Sequence, residues 1–233
     1  MTALTRKLLR EVWHQRGQML SIAAVVATGV MTVLTMRGAY ESLVTARDQY
    51  YRVQRFPDAW VQLERAPESV ARRLRAIPGV AAVDTRVTLT ATLDVPGLDA
   101  PGTGRFISIP ERRRSMLGDL YLRSGRYVRP GQRDEVVIST KFAAANQLGP
   151  GDSVRAIING RRRDLVVAGT AITPEHIYAV APGSLYPDDA RYGIFWMSRD
   201  ALGPAYDMDG AFNEAVFTLA PRADLAPTLA AID

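Results

Sequence analysis

The feature that most constrains this chain is a run of 20 uncharged residues at positions 17 to 36. As an α-helix rising ~1.5 Å per residue, the run spans about 30 Å, the thickness of a bilayer's hydrocarbon core. A helix also satisfies its own backbone hydrogen bonds, as lipid requires. Residues 17–36 are therefore predicted to form a transmembrane helix, anchored by Met19, Leu20, Ile22, Val25, Val26, Val30, Met31, Val33 and Leu34.

Two alternatives stay open for this run. A core helix of a soluble protein is one, although 20 uncharged residues are long for such a helix. A cleaved signal peptide is the other, and the basic residues before the run support it. Against it, the run exceeds the usual ~7–15 apolar residues, and no A-x-A-like site precedes Arg37. Small residues such as Ala24, Ala27 and Gly29 would let a neighbouring helix approach closely, which favours packing in a bundle.

The charges on either side of the run predict its orientation. Arg6, Lys7, Arg10 and Arg16 precede it, whereas only Arg37 and Arg47 lie in the 15 residues that follow. The positive-inside tendency therefore puts the N-terminus in the cytoplasm and the rest of the chain outside. Residues 1–16 are predicted to form a cytoplasmic amphipathic helix in the membrane interface. Its apolar side carries Leu8, Leu9, Val12 and Trp13, and an ordinary basic flank of a signal anchor is the alternative.

A helical pattern continues beyond the predicted membrane segment. Leu43, Ala46, Tyr50 and Val53 are spaced 3, 4 and 3 residues apart, and no proline interrupts them before Pro57. Apolar residues at this spacing form one face of a helix. Residues 37–57 are therefore predicted to form a helical stalk that reaches about Arg55.

Residues 58–233 alternate between strand and helix patterns, which predicts an α+β domain. Apolar residues recur at every second position from Val83 to Val95, which predicts one long half-buried strand with Asp84 and Arg86 on its wet face. Asn159-Gly160 predicts a type I′ hairpin between two strands. Strand-helix-strand patterns at both ends indicate two subdomains: an outer βαβ-type layer and an inserted β-rich part at about residues 84–192.

The composition and the motifs exclude several kinds of site. The chain has no cysteine and only two histidines, His14 and His176, which rules out thiolate or histidine-rich metal sites. It contains neither a P-loop nor a G-x-S-x-G elbow. The acidic pairs Asp188-Asp189 and Asp207/Asp209 lie in predicted loops without a metal-binding pattern. No catalytic, cofactor or metal site is expected, and the chain is not predicted to be an enzyme.

Other polar and aromatic residues are predicted to have ordinary structural roles. The arginine triplets at positions 112–114 and 161–163 are interpreted as solvated turns rather than a surface for nucleic acid, although the net charge is +5. His176 is expected to be a surface or packing residue. Trp60 and Trp196 lie in predicted strands and are expected in the core.

Taken together, the pattern resembles the FtsX-like, MacB-type permease subunits of ABC transporters. The N-terminal stretch LTRKLLREVWHQRGQMLSIAAVVATGV is followed by SGRYVRPGQRDEVVIS, AAANQLGPGDSVRAIINGRRRDLVVAG and YGIFWM. The resemblance covers essentially all 233 residues. It is strongest where Gly125, Gly131, Glu135 and the segment Leu148-Gly149-x-Gly151-Asp152-x-Val154 match the periplasmic core domain of that family.

The resemblance implies a location, partners and a function. The chain would lie in a bacterial inner membrane, with residues 58–233 in the periplasm or outside the cell as a MacB-like core domain. Its partners would be a cytoplasmic ABC ATPase, a second permease in a dimer and a periplasmic adaptor. The outer domain would engage a lipid, lipoprotein, peptide or periplasmic protein. Because such permeases have three further spans, the chain is expected to be a fragment or truncated; the alternative function is a single-span sensor or binding protein.

Overall fold

The fold is taken from a computed structural model that describes residues 7, 10, 11, 13–95 and 98–231. The chain divides into two compact units, Met1–Tyr50 and Tyr51–Asp233. The helix α1 extends over Arg16–Val53, 38 residues, and so crosses the division between the units. The two units are described in turn.

The described residues of the first unit are helical, and most of their large apolar side chains are exposed. The hydroxyls of Thr28 and Thr32 donate to carbonyls four residues earlier, which satisfies these polar groups within the helix. By length and composition, α1 is the one helix among the described residues that could cross a membrane. Of the predicted interfacial residues, Trp13 is helical and exposed, whereas Leu8, Leu9 and Val12 lie outside the described residues.

The stalk residues lie within α1, which ends two residues short of the predicted Arg55. Leu43, Ala46 and Val53 are exposed, and Tyr50 is half-buried. The helix ends where Arg55 adopts a positive φ of 50° and the Phe56 N–H donates to the Tyr51 carbonyl at 2.9 Å.

The second unit contains ten strands and several short helices within its described residues. In chain order they are β1 (Ala59–Pro67), α2 (Glu68–Arg75), β2 (Val80–Arg86), β3 (Thr88–Asp94), β4 (Gly102–Ile109), β5 (Tyr121–Gly125), β6 (Glu135–Ser139), α3 (Thr140–Ala145), β7 (Ser153–Ile158), β8 (Arg161–Ile172), a 3₁₀ turn (Pro174–His176), β9 (Tyr192–Ser198), α4 (Arg199–Ala205), β10 (Ala211–Leu219) and α5 (Leu225–Ala230). The predicted α+β class is confirmed.

The strands form two sheets. The smaller sheet has the order β1-β10-β2, and β10 is antiparallel to both neighbours. β1 and β2 are therefore parallel to each other, joined through α2 as a split βαβ unit. Ala71 and Leu74 of α2 pack with Val83, Phe212 and Phe217 in the core of this layer.

The larger sheet closes on itself. Its order is β5-β8-β6-β9-β4-β3-β7, and β7 also pairs with β8. The long strand β8 makes this closure because its first half pairs with β7 and its second half with β6. Six strands thus form a ring, with β5 attached outside it. The aromatic rings of Phe106, Phe142 and Phe195 pack in the core, with centroids about 5 Å apart.

The single strand predicted from Val83 to Val95 is wrong, because β2 and β3 belong to different sheets. The sequence keeps one alternation through Val83, Val87 and Leu89, which hides the crossing, although the buried residues of β2 are Val83 and Arg86 and do not alternate. At the crossing, side chains replace strand partners. The Ser108 hydroxyl accepts from the Val87 N–H, and the Asn213 amide bonds both the N–H and the C=O of Thr88, at 2.7 to 2.8 Å. The backbone can therefore change sheets without a turn residue.

The predicted hairpin at Asn159-Gly160 is confirmed: both residues have positive φ, and β7 and β8 pair antiparallel on either side. The arginine triplet 161–163 was predicted to lie in a turn. This prediction is wrong, because the triplet forms the start of β8. The exposed strand β5 was not predicted, since its sequence YLRSG has no apolar alternation.

Candidate functional site

The register of the smaller sheet aligns polar residues on one face. Two rows of direct strand partners lie on this face, two positions apart along the strands. One row is Gln62, Glu214 and Arg86, and the other is Trp60, Val216 and Asp84. Side chains two positions apart on a strand share a face. The sheet therefore brings a carboxylate and a guanidinium together on the face opposite α2.

Arg86 is the centre of this arrangement. Its two terminal nitrogens donate to the two Glu175 carboxylate oxygens at 2.8 Å each, in a bidentate pair. Glu175 comes from the 3₁₀ turn that follows β8. The side chains are only 8% and 5% exposed. One ion pair thus joins the smaller sheet to the end of a strand of the larger one.

A second carboxylate lies beside this pair. Glu214 accepts from Arg105 of β4 at 2.8 Å and lies 3.8 Å from Arg86. We call the four residues Arg86, Arg105, Glu175 and Glu214 the charge cluster. It holds two positive and two negative groups, so its formal charge is zero. Charges buried in this way need partners on every side, because loss of one partner leaves the others desolvated.

Burial and hydrogen bonding oppose each other in the cluster. Burial alone would raise the pKa of the Glu175 carboxyl, but the hydrogen bonds and charge of Arg86 outweigh it, so the pKa lies below its ordinary value. Burial alone would lower the pKa of the Arg86 guanidinium, but its hydrogen bonds to the Glu175 carboxylate raise that pKa above its usual range. Both groups are therefore charged at neutral pH.

The side chain of Trp60 completes the surroundings of Glu175. Trp60, 43% exposed, donates its indole N–H to the Glu175 Oε2 at 2.9 Å. The prediction that Trp60 is a core residue is therefore wrong. Its side chain lies on the edge strand β1, where it remains exposed to solvent while its N–H is bonded to Glu175. Trp196 is buried as predicted. His176 is mostly buried, and burial lowers the pKa of its imidazole, so it is a packing residue and not a surface one.

The entry segment, residues 51–58, connects the C-terminal end of α1 to β1. The carbonyls of Gln54 and Arg55 accept hydrogen bonds from the Asp119 and Gly118 N–H groups at 2.8 and 2.9 Å. Arg55 also donates to the Ser115 hydroxyl at 3.1 Å. The Phe56 ring stacks on Tyr51, with centroids 4.7 Å apart. The segment is therefore fixed to residues 115–119.

Residues 115–119 also contact the charge cluster. The Leu117 carbonyl accepts from Arg86, and the Leu117 N–H donates to Asp84 at 2.8 Å. Gly118 has a φ of 62°, and a Cβ there would lie 1.4 Å from a Glu175 oxygen. Only glycine allows this approach. Two layers of hydrogen bonds therefore link the entry segment to Arg86 and Glu175.

A separate carboxylate fixes a loop of the larger sheet. Glu135, at the start of β6, accepts from Arg126 and from the backbone and side chain of Arg129. The Arg126 hydrogen bonds, helped by those of Arg129, lower the pKa of Glu135 to about 2. We call these three residues the loop clamp. They lie within the stretch that carries the family resemblance.

The remaining acidic side chains of the described residues lie outside the charge cluster and the loop clamp. Within the described residues, no group of three or more acidic or histidine side chains could hold a metal ion. Asp188 accepts from the backbone of its own loop, and Asp207 from the Asn159 amide. One member of each acidic pair therefore has a structural partner. The arginine triplet 112–114 lies in a loop as predicted, where Arg113 pairs with Asp119 and Arg114 with Asp84.

Sequence reasoning missed the charge cluster. Arg86 was predicted on a wet face but is 8% exposed, because β10 and residues 115–119 cover it. One signal was available: Glu214 is a lone charge within the apolar strand AFNEAVFTL. Such a residue needs a buried partner, although the sequence does not identify the partner.

No protein-family model matches the chain, and neither does any curated protein. Solved structures do match. The extracellular domain of the noncanonic ABC-type transporter YknZ from Gram-positive bacteria is 14% identical, with 72% of this chain and 86% of that chain covered and a TM-score of 0.45. The periplasmic region of MacB from Actinobacillus actinomycetemcomitans is also 14% identical, with 74% and 72% covered and a TM-score of 0.45.

A third similar structure is a domain of a protein described as a permease from Porphyromonas gingivalis, 19% identical, with 70% and 71% covered and a TM-score of 0.39. At identities below 25% and TM-scores below 0.5, the likeness itself assigns neither a partner nor an activity to this chain.

Proposed function

We propose that this chain is part of an ABC transporter permease subunit in a bacterial inner membrane. Residues 17–36 span the membrane, residues 1–16 lie on the cytoplasmic side, and residues 58–233 form the periplasmic or extracellular domain. The proposal depends most on one observation: α1 continues without a break past its apolar part to Val53, and the entry segment that follows is hydrogen-bonded to residues 115–119, which in turn contact the buried charge cluster.

The arrangement suits transmission of movement rather than catalysis. A continuous helix is stiff, and apolar side chains such as Leu20, Val25 and Met31 are exposed along its first half, as a lipid-facing helix requires. In the outer domain, the entry segment, residues 115–119 and the charge cluster contact one another in series. A displacement of the helix end would therefore reach both sheets.

The partners of the proposed subunit follow from the sequence resemblance. A separate cytoplasmic ABC ATPase would supply the energy, since this chain has no phosphate-binding motif. A second permease would complete a dimer in the membrane, and a periplasmic adaptor would bind outside. In this scheme the stalk, with Leu43, Ala46, Tyr50 and Val53, transmits the ATPase's movement to the outer domain.

The test uses the full-length subunit together with an ABC ATPase that co-purifies with it from its host. These 233 residues contain no cysteine, so the variant Tyr121→Cys adds one labelling site on the exposed strand β5, and any cysteine elsewhere in the subunit is replaced by serine. A dye attached there before assembly reports any ATP-dependent change in the outer domain. We expect such a change, and we expect Ala46→Pro to abolish it, since proline removes a backbone donor and clashes with the preceding turn at a cost of ~3 kcal/mol or more.

Ala46→Leu is the matched control, because leucine preserves the helix and should preserve the signal. ATP hydrolysis and the protease resistance of the outer domain are measured on the same samples. A Pro variant with a folded domain and an unchanged dye signal would show that the stalk transmits nothing. If no ABC ATPase co-purifies with the subunit, a single-span sensor or binding protein becomes the better description.

A further inference from the structure

The loop at residues 177–187, between the 3₁₀ turn and β9, has large apolar side chains in solvent. We call it the apolar loop. Its exposed fractions run from 40% to 89%, for Ile177, Tyr178, Val180, Leu185 and Tyr186. Single exposed apolar residues are common on protein surfaces, but contiguous ones mark sites of interaction.

The pattern within the loop is the reverse of ordinary folding. Ala179 and Ala181 pack against the core of the larger sheet, whereas their bulkier neighbours Tyr178 and Val180 face solvent. Burial of the large residues instead would contribute about 1.5–3 kcal/mol per side chain. Small residues thus hold the loop to the domain, and large ones remain available for another surface.

The conformation of the loop is fixed locally. A turn reverses the chain at residues 181–184, where the Ser184 N–H donates to the Ala181 carbonyl at 3.0 Å and Gly183 has a φ of 82°. The Ser184 hydroxyl then donates to the Tyr186 carbonyl at 2.9 Å. The Lys141 ammonium lies 4.3 Å from the centre of the Tyr178 ring. A preordered loop loses less entropy when it binds.

The charges near the loop favour a protein over a lipid surface. Residues 177–187 carry no charge, and the neighbouring Lys141, Arg191, Asp188 and Asp189 sum to zero. Attachment to an anionic bilayer relies on clustered basic residues, which are absent here. Exposed Asp188 would instead be repelled by anionic lipid. Tyrosine enrichment and depletion of charge are typical of the centre of protein interfaces.

We propose that the apolar loop is the docking surface for a soluble extracytoplasmic protein. The partner has an apolar pocket that receives Leu185 and Tyr186, and a basic residue at the rim that faces Asp188. The inference rests on the proposed function only for the extracytoplasmic location of the domain. It adds the surface and the chemistry of the partner that binds there.

The experiment places the photoreactive residue p-benzoylphenylalanine at position 186 of the full chain in its host cells. The control position is Tyr121, an exposed tyrosine on β5, 46% exposed against 78% for Tyr186. We expect a cross-link to one soluble protein from position 186 and none from position 121. The cross-linked protein is then purified, and its affinity for the detergent-solubilised chain is measured.

Leu185→Ser should raise the Kd of that protein at least tenfold, because Leu185 would fill the pocket, whereas Tyr121→Ser should leave the Kd unchanged. Leu185 is 89% exposed, so the variant should fold normally. Three results would overturn the proposal: no specific cross-link, a cross-link only to a second copy of this chain, or a Kd that Leu185→Ser does not alter.

A second experiment tests whether the apolar loop binds a lipid bilayer instead of a protein. The chain with Tyr186→Trp is placed in nanodiscs of brominated phosphatidylglycerol and phosphatidylcholine, and its fluorescence is compared with that of the unsubstituted chain. Extra quenching by bromine would place the loop in the bilayer and contradict the protein partner. These results do not depend on the ATPase. A specific cross-link without a co-purifying ATPase would support the docking surface and contradict the proposed permease function.

Discussion

The charge cluster and the loop clamp both hold buried carboxylates against arginines, yet they differ in how far those arginines are exposed to solvent. In the cluster, Arg86 is as buried as Glu175, at 8% and 5% exposure. In the clamp, Arg126 and Arg129 are 46% and 62% exposed, and only Glu135 is buried. Solvent can therefore replace the clamp's arginines as partners of the carboxylate, but it cannot replace Arg86 in the cluster.

The clamp and the cluster also differ in how far apart in the sequence the residues they join are. The clamp residues lie within ten positions of one another, so it fixes a local loop. The cluster joins residues 89 to 128 positions apart: Arg86 with Glu175, and Arg86 with Glu214. We infer that the clamp stabilises one element, whereas the cluster determines how the two sheets meet beside the entry segment.

The largest expected effect is from Arg86→Met. It leaves Glu175 and Glu214 buried with one cationic neighbour fewer, and loss of one partner from a buried pair costs about 3–5 kcal/mol. Chemical unfolding of the detergent-solubilised chain should show a loss of this size. Arg129→Met is the matched control in the clamp, and it should cost at most about 1 kcal/mol. Equal losses would mean that burial does not distinguish the two sites.

These residues also show how far the sequence leads. Most strand positions followed from alternation and from turn residues such as Asn159 and Gly160, because those signals are local. The charge cluster did not, because Arg86, Glu175 and Glu214 meet only after the two sheets pack. The change of sheet at Val87 was hidden for a related reason: Ser108 and Asn213, distant in sequence, supply the backbone's hydrogen bonds there.

An intermediate effect is expected from Glu135→Gln. The amide keeps the shape of the side chain but loses the charge-assisted bonds to Arg126 and Arg129. Because both arginines are then free to be solvated, we expect a loss of about 1–2 kcal/mol at neutral pH. The same unfolding assay checks this, and a loss as large as that of Arg86→Met would remove the distinction between the clamp and the cluster.

The pH dependence gives a second test of the clamp. The pKa of Glu135 is lowered in the folded chain from its ordinary 4.5 to about 2. A lowered pKa means that the stabilisation is complete above about pH 4.5 and is lost as the pH falls towards 2. The chain should therefore lose stability more steeply than Glu135→Gln in that window. Parallel curves would show that the carboxylate of Glu135 is not what titrates there.

The smallest expected effect is from Trp60→Phe, which tests whether the exposed edge of the cluster behaves like the clamp. The substitution removes the indole N–H that donates to Glu175 but keeps an aromatic ring beside Phe56. Glu175 retains both bonds from Arg86, and Trp60 is partly solvated, so water can take over the lost bond. We expect a loss of about 0.5–1.5 kcal/mol.

A double-mutant cycle with Glu175→Met separates the hydrogen bond from the packing of the ring, because methionine removes the oxygen that accepts the bond from Trp60. Unfolding is followed by far-ultraviolet circular dichroism, since the substitution changes the tryptophan signal. If the bond is present, the two substitutions should be less than additive, and their coupling should account for most of the loss from Trp60→Phe. Additive losses would mean that Trp60 acts only through contact with Phe56, and that Arg86 alone compensates the buried charge of Glu175.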